Sequence, residues 1–259
     1  MSFTPGLVSV TFRHLSAQSV VELAARCGLR AMEWGGDVHV PHGDTATARA
    51  VRRMTLDRGL TCEAYGSYFR AGSTRPDAPS ITEVVDTAAA LGARSVRVWA
   101  GERGSGEADA GYRSMVVDSL AAFADGAREA DLEVTLEFHA GTLTDSPESA
   151  LAVLDEIDRP NVRTGWQPPV PLDVPARLET LRRVLDRVST VHVFHWPTTS
   201  GEVVRRPLAE GAGEWRRYLQ LLRSGEREHA LLLEFVPKDD PGELSSSAEV
   251  LRTLIEGCG

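Results

Sequence analysis

Glu133-Val134-Thr135-Leu136-Glu137-Phe138-His139-Ala140-Gly141-Thr142 is the stretch on which the reading of the fold turns. Strict alternation predicts a strand, with Val134, Leu136 and Phe138 on one face and Glu133, Thr135, Glu137 and His139 on the other. The apolar face suits a layer of helices, and the polar face brings a Glu and a His, two residues apart, to the strand's carboxyl end. Barrels of parallel strands place their active sites at that end. A half-exposed strand of an antiparallel sheet is the alternative, and the neighbouring segments argue against it.

Working outward, strand-like and helix-like segments alternate along the whole chain. Leu7 to Thr11, Arg30 to Trp34, Leu60 to Tyr65 and Ser95 to Trp99 read as strands. Helices from Ser16 to Cys27, Thr45 to Arg58, Ser80 to Leu91 and Ala108 to Ala130 follow them, with Gly28, Gly59 and Gly92 as stops. After the opening stretch, Ser146 and Pro147 start a helix running to Ile157. Val162 to Gln167, Thr190 to His195 and Ala230 to Phe235 are three further strands; helices at Leu178 to Asp186, from Gly213 to about Leu222, and at Ser247 to Ile255 complete the set. Eight strand-then-helix units in 259 residues predict one α/β domain over residues 1–259, a (β/α)8 TIM barrel. An open doubly wound sheet would want a glycine-rich phosphate turn after the first strand, and Thr11-Phe12-Arg13-His14 is not one.

Composition excludes several functions. A formal net charge of −9 speaks against a nucleic-acid partner, whose affinity rests on neutralising phosphates. No apolar run is long enough to cross a bilayer, and Met1 to Pro5 lack the basic start and apolar core of a signal peptide, so a cytoplasmic protein is expected. Cys27, Cys62 and Cys258 are too few and too dispersed for a disulfide framework or a thiolate metal site. The one lysine, Lys238, lies beyond a strand end and is a poor Schiff-base candidate.

Period two then says which side chains enter the lumen. Arg97 and Trp99 on the fourth strand, Arg163, Gly165 and Gln167 on the sixth, Thr190, His192 and Phe194 on the seventh, and Leu232 and Glu234 on the eighth point inward. Glu137, Gln167, His192 and Glu234 thus reach nearly one height, as a candidate site for Mn, Mg, Co or Zn. Two inward glutamates need a cation, and Arg97 or Arg163 is the alternative to a metal.

Leu136-Glu137-Phe138-His139-Ala140-Gly141-Thr142, Pro160-Asn161-Val162, Val191-His192-Val193, Gly211-Ala212-Gly213-Glu214-Trp215 and Leu233-Glu234-Phe235, together with Leu91-Gly92-Ala93, resemble the sugar phosphate isomerase/epimerase group of the xylose isomerase-like TIM barrels. The resemblance covers most of the chain and lies in the order and spacing of the motifs. It implies one divalent ion held by Glu137, Gln167, His192 and Glu234, with Gln167 where the family usually has Asp. Val170 replaces a His of many members, and Phe194 and His195 replace a Lys and an Asp. The neutral amide at 167 removes one negative charge from the ligand set, so weaker metal binding or a different preferred ion is expected.

The chemistry implied is proton abstraction beside the carbonyl of a ketose to give an enediolate, with Glu137 and Glu234 as the proton-transferring pair. Return of the proton to the other face is epimerisation, return to the next carbon is isomerisation, and loss of a β-hydroxyl is dehydration, as in inosose dehydratases. The primary expectation is an isomerase or epimerase of a small sugar or sugar phosphate; the alternatives are a dehydratase or lyase of a polyol ketone and a non-catalytic sugar-binding barrel. Substrate contacts are expected from His14, Glu33, Trp34, His39, Tyr65, Arg97, Trp99, His139, His195, Trp196 and Arg205, which lie on or near strand ends. Parity turns Trp34 towards the helices unless the strand end twists. The expected partner is a small sugar-like molecule, with neither nucleic acid nor membrane, and a homo-oligomer is left open.

Overall fold

The computed structural model describes residues 2–199 and 201–258; Met1, Ser200 and Gly259, which fall within the leader and domain readings, lie outside the described residues. Eight parallel strands close into a barrel in sequence order: β1 Phe3–Val8, β2 Ala31–Gly35, β3 Thr61–Arg70, β4 Ser95–Trp99, β5 Glu133–Leu136, β6 Val162–Trp166, β7 Val188–Val193 and β8 His229–Leu233. β1 pairs with β8 through Phe3 to Leu7 opposite His229 to Leu233, which joins the two ends of the sheet. The helices are α1 Ala17–Arg26, α2 Thr45–Asp57, α3 Ile81–Leu91, α4 Ala110–Glu129, α5 Pro147–Ile157, α6 Val174–Val184, α7 Ala212–Arg223 and α8 Pro241–Glu256. A short hairpin, Thr198–Thr199 with Glu202–Val203, leaves the loop after β7. None of the described helices is long and apolar enough to cross a membrane.

Local chemistry starts these helices where the strands need to turn back. Ser16, Asp44, Ser80, Asp109, Ser146, Asp173 and Asp240 each accept a backbone N–H of the first turn, and Ser80 with Glu83 forms a full capping box. The outer core lies between strands and helices and holds Val134, Leu136, Phe138, Val191, Val193, Leu231 and Leu233, as alternation requires. A smaller cluster of Val8, Val10, Ala31, Ala230 and Leu232 fills the lumen beneath the polar residues.

Several boundaries differ from the sequence reading. β1 begins at Phe3 rather than Leu7, and Ser9–Phe12 is a 3-10 turn. In β1 the Pro5 carbonyl accepts the Arg30 N–H at 2.8 Å, and Gly6 fits a crowded place where strand β2 comes close. β3 extends to Arg70, and β5 ends at Leu136, so Glu137 stands just past the strand. α6 and α8 start several residues early, because Pro175 and Pro241 sit in first turns, where a missing N–H costs nothing.

A Cβ on Gly6 would lie 2.5 Å from the Ala31 carbonyl oxygen and 2.6 Å from Leu232 Cδ2, so Gly6→Ala must push a strand or the lumen cluster aside. Overpacking of this kind costs about 1–3 kcal/mol. A thermal melt should show a midpoint roughly 2–12 °C lower, and an unchanged midpoint would mean that the barrel gives way there without strain.

Candidate active site

Five buried ionisable side chains from five strands meet in the upper lumen: Glu33 of β2, Arg97 of β4, Glu137 past β5, His192 of β7 and Glu234 past β8. Arg97 donates from Nε to Glu33 Oε1 at 2.6 Å and from Nη1 to Glu137 Oε2. His192 Nε2 is 3.1 Å from Glu33 Oε2, while its Nδ1 is 3.4 Å from both Glu234 Oε2 and Gln167 Oε1. Glu33, with no exposure at all, therefore holds both cations, one on each oxygen. Gly66 of β3 makes room for this pair, since a Cβ there would stand 2.7 Å from Arg97 Nη2 and 2.8 Å from Glu33 Oε1.

The electrostatics follow from these distances. Burial raises the Glu33 pKa, but Arg97 and His192 outweigh it and bring the group down to about 2. As an ionised carboxylate it only accepts, so His192 Nε2 carries a hydrogen and donates it. Burial lowers the His192 pKa, yet Glu234 and Glu33 together hold it well above the ordinary imidazole value. Glu234 is moved below its usual range by His192 and then Arg97, against the cost of burial. Three carboxylates against one guanidinium leave two negative charges, of which a protonated His192 offsets one.

The residues expected to make a metal site are thus together, with one change. Gln167 Oε1 and Glu234 Oε2 each lie 3.4 Å from His192 Nδ1, too long for a strong hydrogen bond. Donors roughly 3.0–3.4 Å apart are what a small divalent ion with bonds of roughly 2.1–2.4 Å draws around itself. Glu33 on Nε2 orients the imidazole as an outer carboxylate orients a metal-binding histidine. Glu137, the fourth expected donor, gives one oxygen to Arg97. Among the described residues no three His, Cys, Asp or Glu side chains are grouped as a cage, because the third donor here is the amide of Gln167. A cavity of about 10 Å³, the size of one water or ion, lies against Arg97, Glu137, Gln167 and His192. The donor types and the two excess negative charges fit a divalent ion, which would replace the proton on His192 Nδ1.

The expected substrate contacts divide into three groups. Glu33 and Arg97 are in the lumen. Trp99, His139 and Trp196 stand at the mouth: Trp99 stacks on His139 with centroids 4.6 Å apart under the Arg70 guanidinium, and Trp196 stacks on Phe194 at 4.0 Å. His139 Nδ1 lies 2.6 Å from the Ala140 carbonyl and donates to it, which leaves Nε2 as an acceptor in the neutral ring. The remaining six have other work. Trp34 is wholly buried in the helix-side core, as its parity required. Tyr65 is buried and donates to the Val40 carbonyl, and His39 links Ser9 Oγ and the Leu15 carbonyl, fastening two loops. His195 packs against Gly211 at the start of α7, Arg205 pairs with Asp239, and His14 is exposed beside Phe12.

Tyr68 and Phe235 escaped sequence reasoning. Both adopt left-handed backbone conformations, φ 54° and 48°, which bulky residues rarely take. The Arg97 guanidinium lies 5.2 Å from the Tyr68 ring centre, Arg13 donates to Tyr68 Oη, and Phe235 N–H donates to Thr11 Oγ1. Burial raises the Tyr68 phenol to about 12, so the ring stays neutral over the site. Their only sequence signal is position, two residues past Gly66 and one past Glu234.

Arg97→Met would leave Glu33 and Glu137 buried beside an apolar chain. Breaking a buried pair costs about 3–5 kcal/mol, so a denaturant melt should lose that much stability. Adding Glu137→Gln to the same chain should recover part of the loss. A single variant as stable as the parent would show that Arg97 does not balance the lumen.

A family model for the xylose isomerase-like TIM barrel matches residues 21–254. A 3-dehydroshikimate dehydratase of Bacillus anthracis is 26% identical over 165 residues, which is 61% of this chain and 59% of that protein's length. Among solved structures, a probable 3-DHS dehydratase involved in petrobactin synthesis in Bacillus anthracis superposes with a TM-score of 0.77 at 20% identity, over 97% of this chain and 99% of that one. A xylose isomerase-like TIM barrel protein from Mycobacterium smegmatis, in complex with magnesium, gives 0.71 at 15% identity over 99% and 98%. The structural likenesses are likenesses of fold, but the family match spans nearly the whole barrel: the chain belongs to the xylose isomerase-like TIM barrel family.

Proposed function

We propose that this chain is an enolising enzyme that removes a proton beside the carbonyl of a small polyhydroxy ketone. The observation that carries the reading is that Gln167 and Glu234 each bring an oxygen to the same nitrogen of His192, with Glu137 on the same small cavity as Gln167 and His192 and Glu33 fixing the imidazole from behind. Gln167, His192 and Glu234 would hold a divalent ion, with the free oxygen of Glu137 as a fourth donor. Such an ion supplies Lewis acidity, which makes the C–H beside a carbonyl more acidic.

The chain's own groups would do the rest. Glu137 accepts from Arg97 in a buried site, which orients its carboxylate and leaves its other oxygen to take a proton. Glu234 faces His192 across the same space and is the second proton carrier. If it returns the proton, the outcome is epimerisation or isomerisation. Dehydration is the second reading, in which a β-hydroxyl leaves from the same intermediate. The dehydratase relative supports it, as does His139 at the mouth, whose Nδ1 is engaged with the Ala140 carbonyl and whose Nε2 in the protonated ring would give the departing hydroxyl a proton. Trp99 and Tyr68 restrict water at the reacting centre.

Protein loaded with Mn2+ should wash deuterium from heavy water into at least one member of a panel of ketoses and cyclic polyol ketones, read by NMR. Loss of hydroxyl, seen as a new ultraviolet-absorbing enone or aromatic product, would select dehydration. Glu137→Gln should abolish exchange and leave the fold intact, and retained exchange would remove Glu137 from the mechanism. Gln167→Asp adds a charge to the donor set and should tighten Mn2+ binding by about tenfold or more in calorimetry. Unchanged Mn2+ affinity in that variant would take position 167 out of the metal site.

A further inference from the structure

Beside the lumen, the loops after β5, β6 and β7 enclose a cleft of about 290 Å³ that opens onto Gln167. Its walls are largely carbon, from Phe138, Pro168, Pro171, Leu172, Phe194 and Trp196, with His139, Asp145 and Gln167 as its polar side chains. The wall is also fixed in place. The buried Arg177 donates to the carbonyls of Pro169 and Val170 and is itself anchored on Glu214, so the proline-rich loop is tied to helix α6. Two polar atoms on the lining, Trp196 Nε1 and Asp145 Oδ1, are buried without a hydrogen-bond partner. The other Asp145 oxygen accepts the Ser105 N–H at 2.9 Å, so the side chain is held with one acceptor to spare. Buried polar atoms are seldom left unpaired, and these two, one donor and one acceptor, belong to residues of the lining.

Charge narrows the ligand further. Asp145 is the one acidic residue on the lining and His139 the one histidine, and among the described residues no Arg or Lys lines the cleft. The arginines nearest it are engaged, Arg177 with Glu214 and Arg205 with Asp239. A phosphate entering the cleft would lose water against apolar walls and meet a carboxylate of its own sign. We propose that this cleft receives the non-reacting end of the substrate, and that this end is uncharged and carbon-rich, bearing hydroxyl groups but no phosphate. That assignment rests on the enolising reading only for where the reacting end lies; the chemistry of the cleft stands on its own walls.

The test uses probes with no proton beside a carbonyl, benzyl alcohol and phenyl phosphate, in saturation-transfer NMR and in titration of the intrinsic tryptophan fluorescence of the full chain. Benzyl alcohol should bind, and phenyl phosphate should bind at least about tenfold more weakly. Leu172→Asp, at a well-exposed wall position, should weaken benzyl alcohol by at least about tenfold without changing the melt. Asp145→Asn, which keeps an oxygen for the Ser105 N–H, should narrow the gap between the two probes. Phenyl phosphate binding as tightly as benzyl alcohol, no binding of benzyl alcohol, or binding indifferent to Leu172→Asp would each overturn the proposal. Because neither probe can be enolised, failed deuterium exchange with intact benzyl alcohol binding would remove the enzymatic reading and leave the cleft's specificity standing.

Discussion

Everything in the upper lumen depends on keeping three carboxylates charged where water does not reach. Taking an ion from water into protein costs several kcal/mol even after relaxation, and the cost is recovered only by close, well-directed partners. Glu33, Glu137 and Glu234 share two such partners, Arg97 and His192, and Glu33 touches both. The arrangement exists only because the barrel is closed. Glu33 and His192 are 159 residues apart in sequence and meet at 3.1 Å across the lumen. Parallel register sets the height: Leu232 lies opposite His192, so Glu234 emerges two residues above it.

This dependence also explains what could be read from the sequence and what could not. Alternation along Val134, Leu136 and Phe138 gave the correct outer face, and the same period put Arg97, Gln167, His192 and Glu234 inward, because parity is a local property that survives small errors in strand ends. Arg97 was legible only as one of two candidate cations; Arg163, the other, turns to the Asp186 carbonyl at 3.5 Å and pairs with none of the lumen glutamates. The pairing itself was not legible. Whether Glu33 would meet a substrate at the rim or an arginine in the lumen depends on side chains brought together by closure, and period two is silent on distance. Nor does proximity to a strand end say which polar atoms the fold itself uses: Tyr65 and His39 are near the mouth in sequence and hydrogen-bond to neighbouring loops. Pro5 in β1 and Pro175 in the first turn of α6 are both accommodated, because a missing N–H breaks regular structure only where that N–H has a partner to lose.

The mouth adds a second constraint. Tyr68 and Phe235 hold left-handed backbone conformations that neither side chain favours, and both are tied by hydrogen bonds, one through Arg13 and one through Thr11. Such conformations persist when their surroundings over-determine them, and they gather where a side chain must be aimed. Here the aim is inward: the Tyr68 ring covers Arg97, and Trp196 packs near the Phe235 ring at 5.9 Å. The lumen charges are thereby roofed with aromatic carbon on the side where solvent would enter, which strengthens every ion pair beneath.

The amide at position 167 gains a physical meaning when set beside Arg97. With an aspartate there, the lumen would hold four carboxylates against one guanidinium, and a divalent ion with a neutral His192 would leave one negative charge buried and unpaired. With glutamine, the three carboxylates, the guanidinium and a divalent ion sum to neutrality. Gln167 still offers a carbonyl oxygen to a hard cation, though a weaker one than a carboxylate. Read this way, the departure from the family's acidic residue is the counterpart of a guanidinium in the lumen rather than the loss of a ligand. The two positions should then be coupled, each tolerating change only in the company of the other.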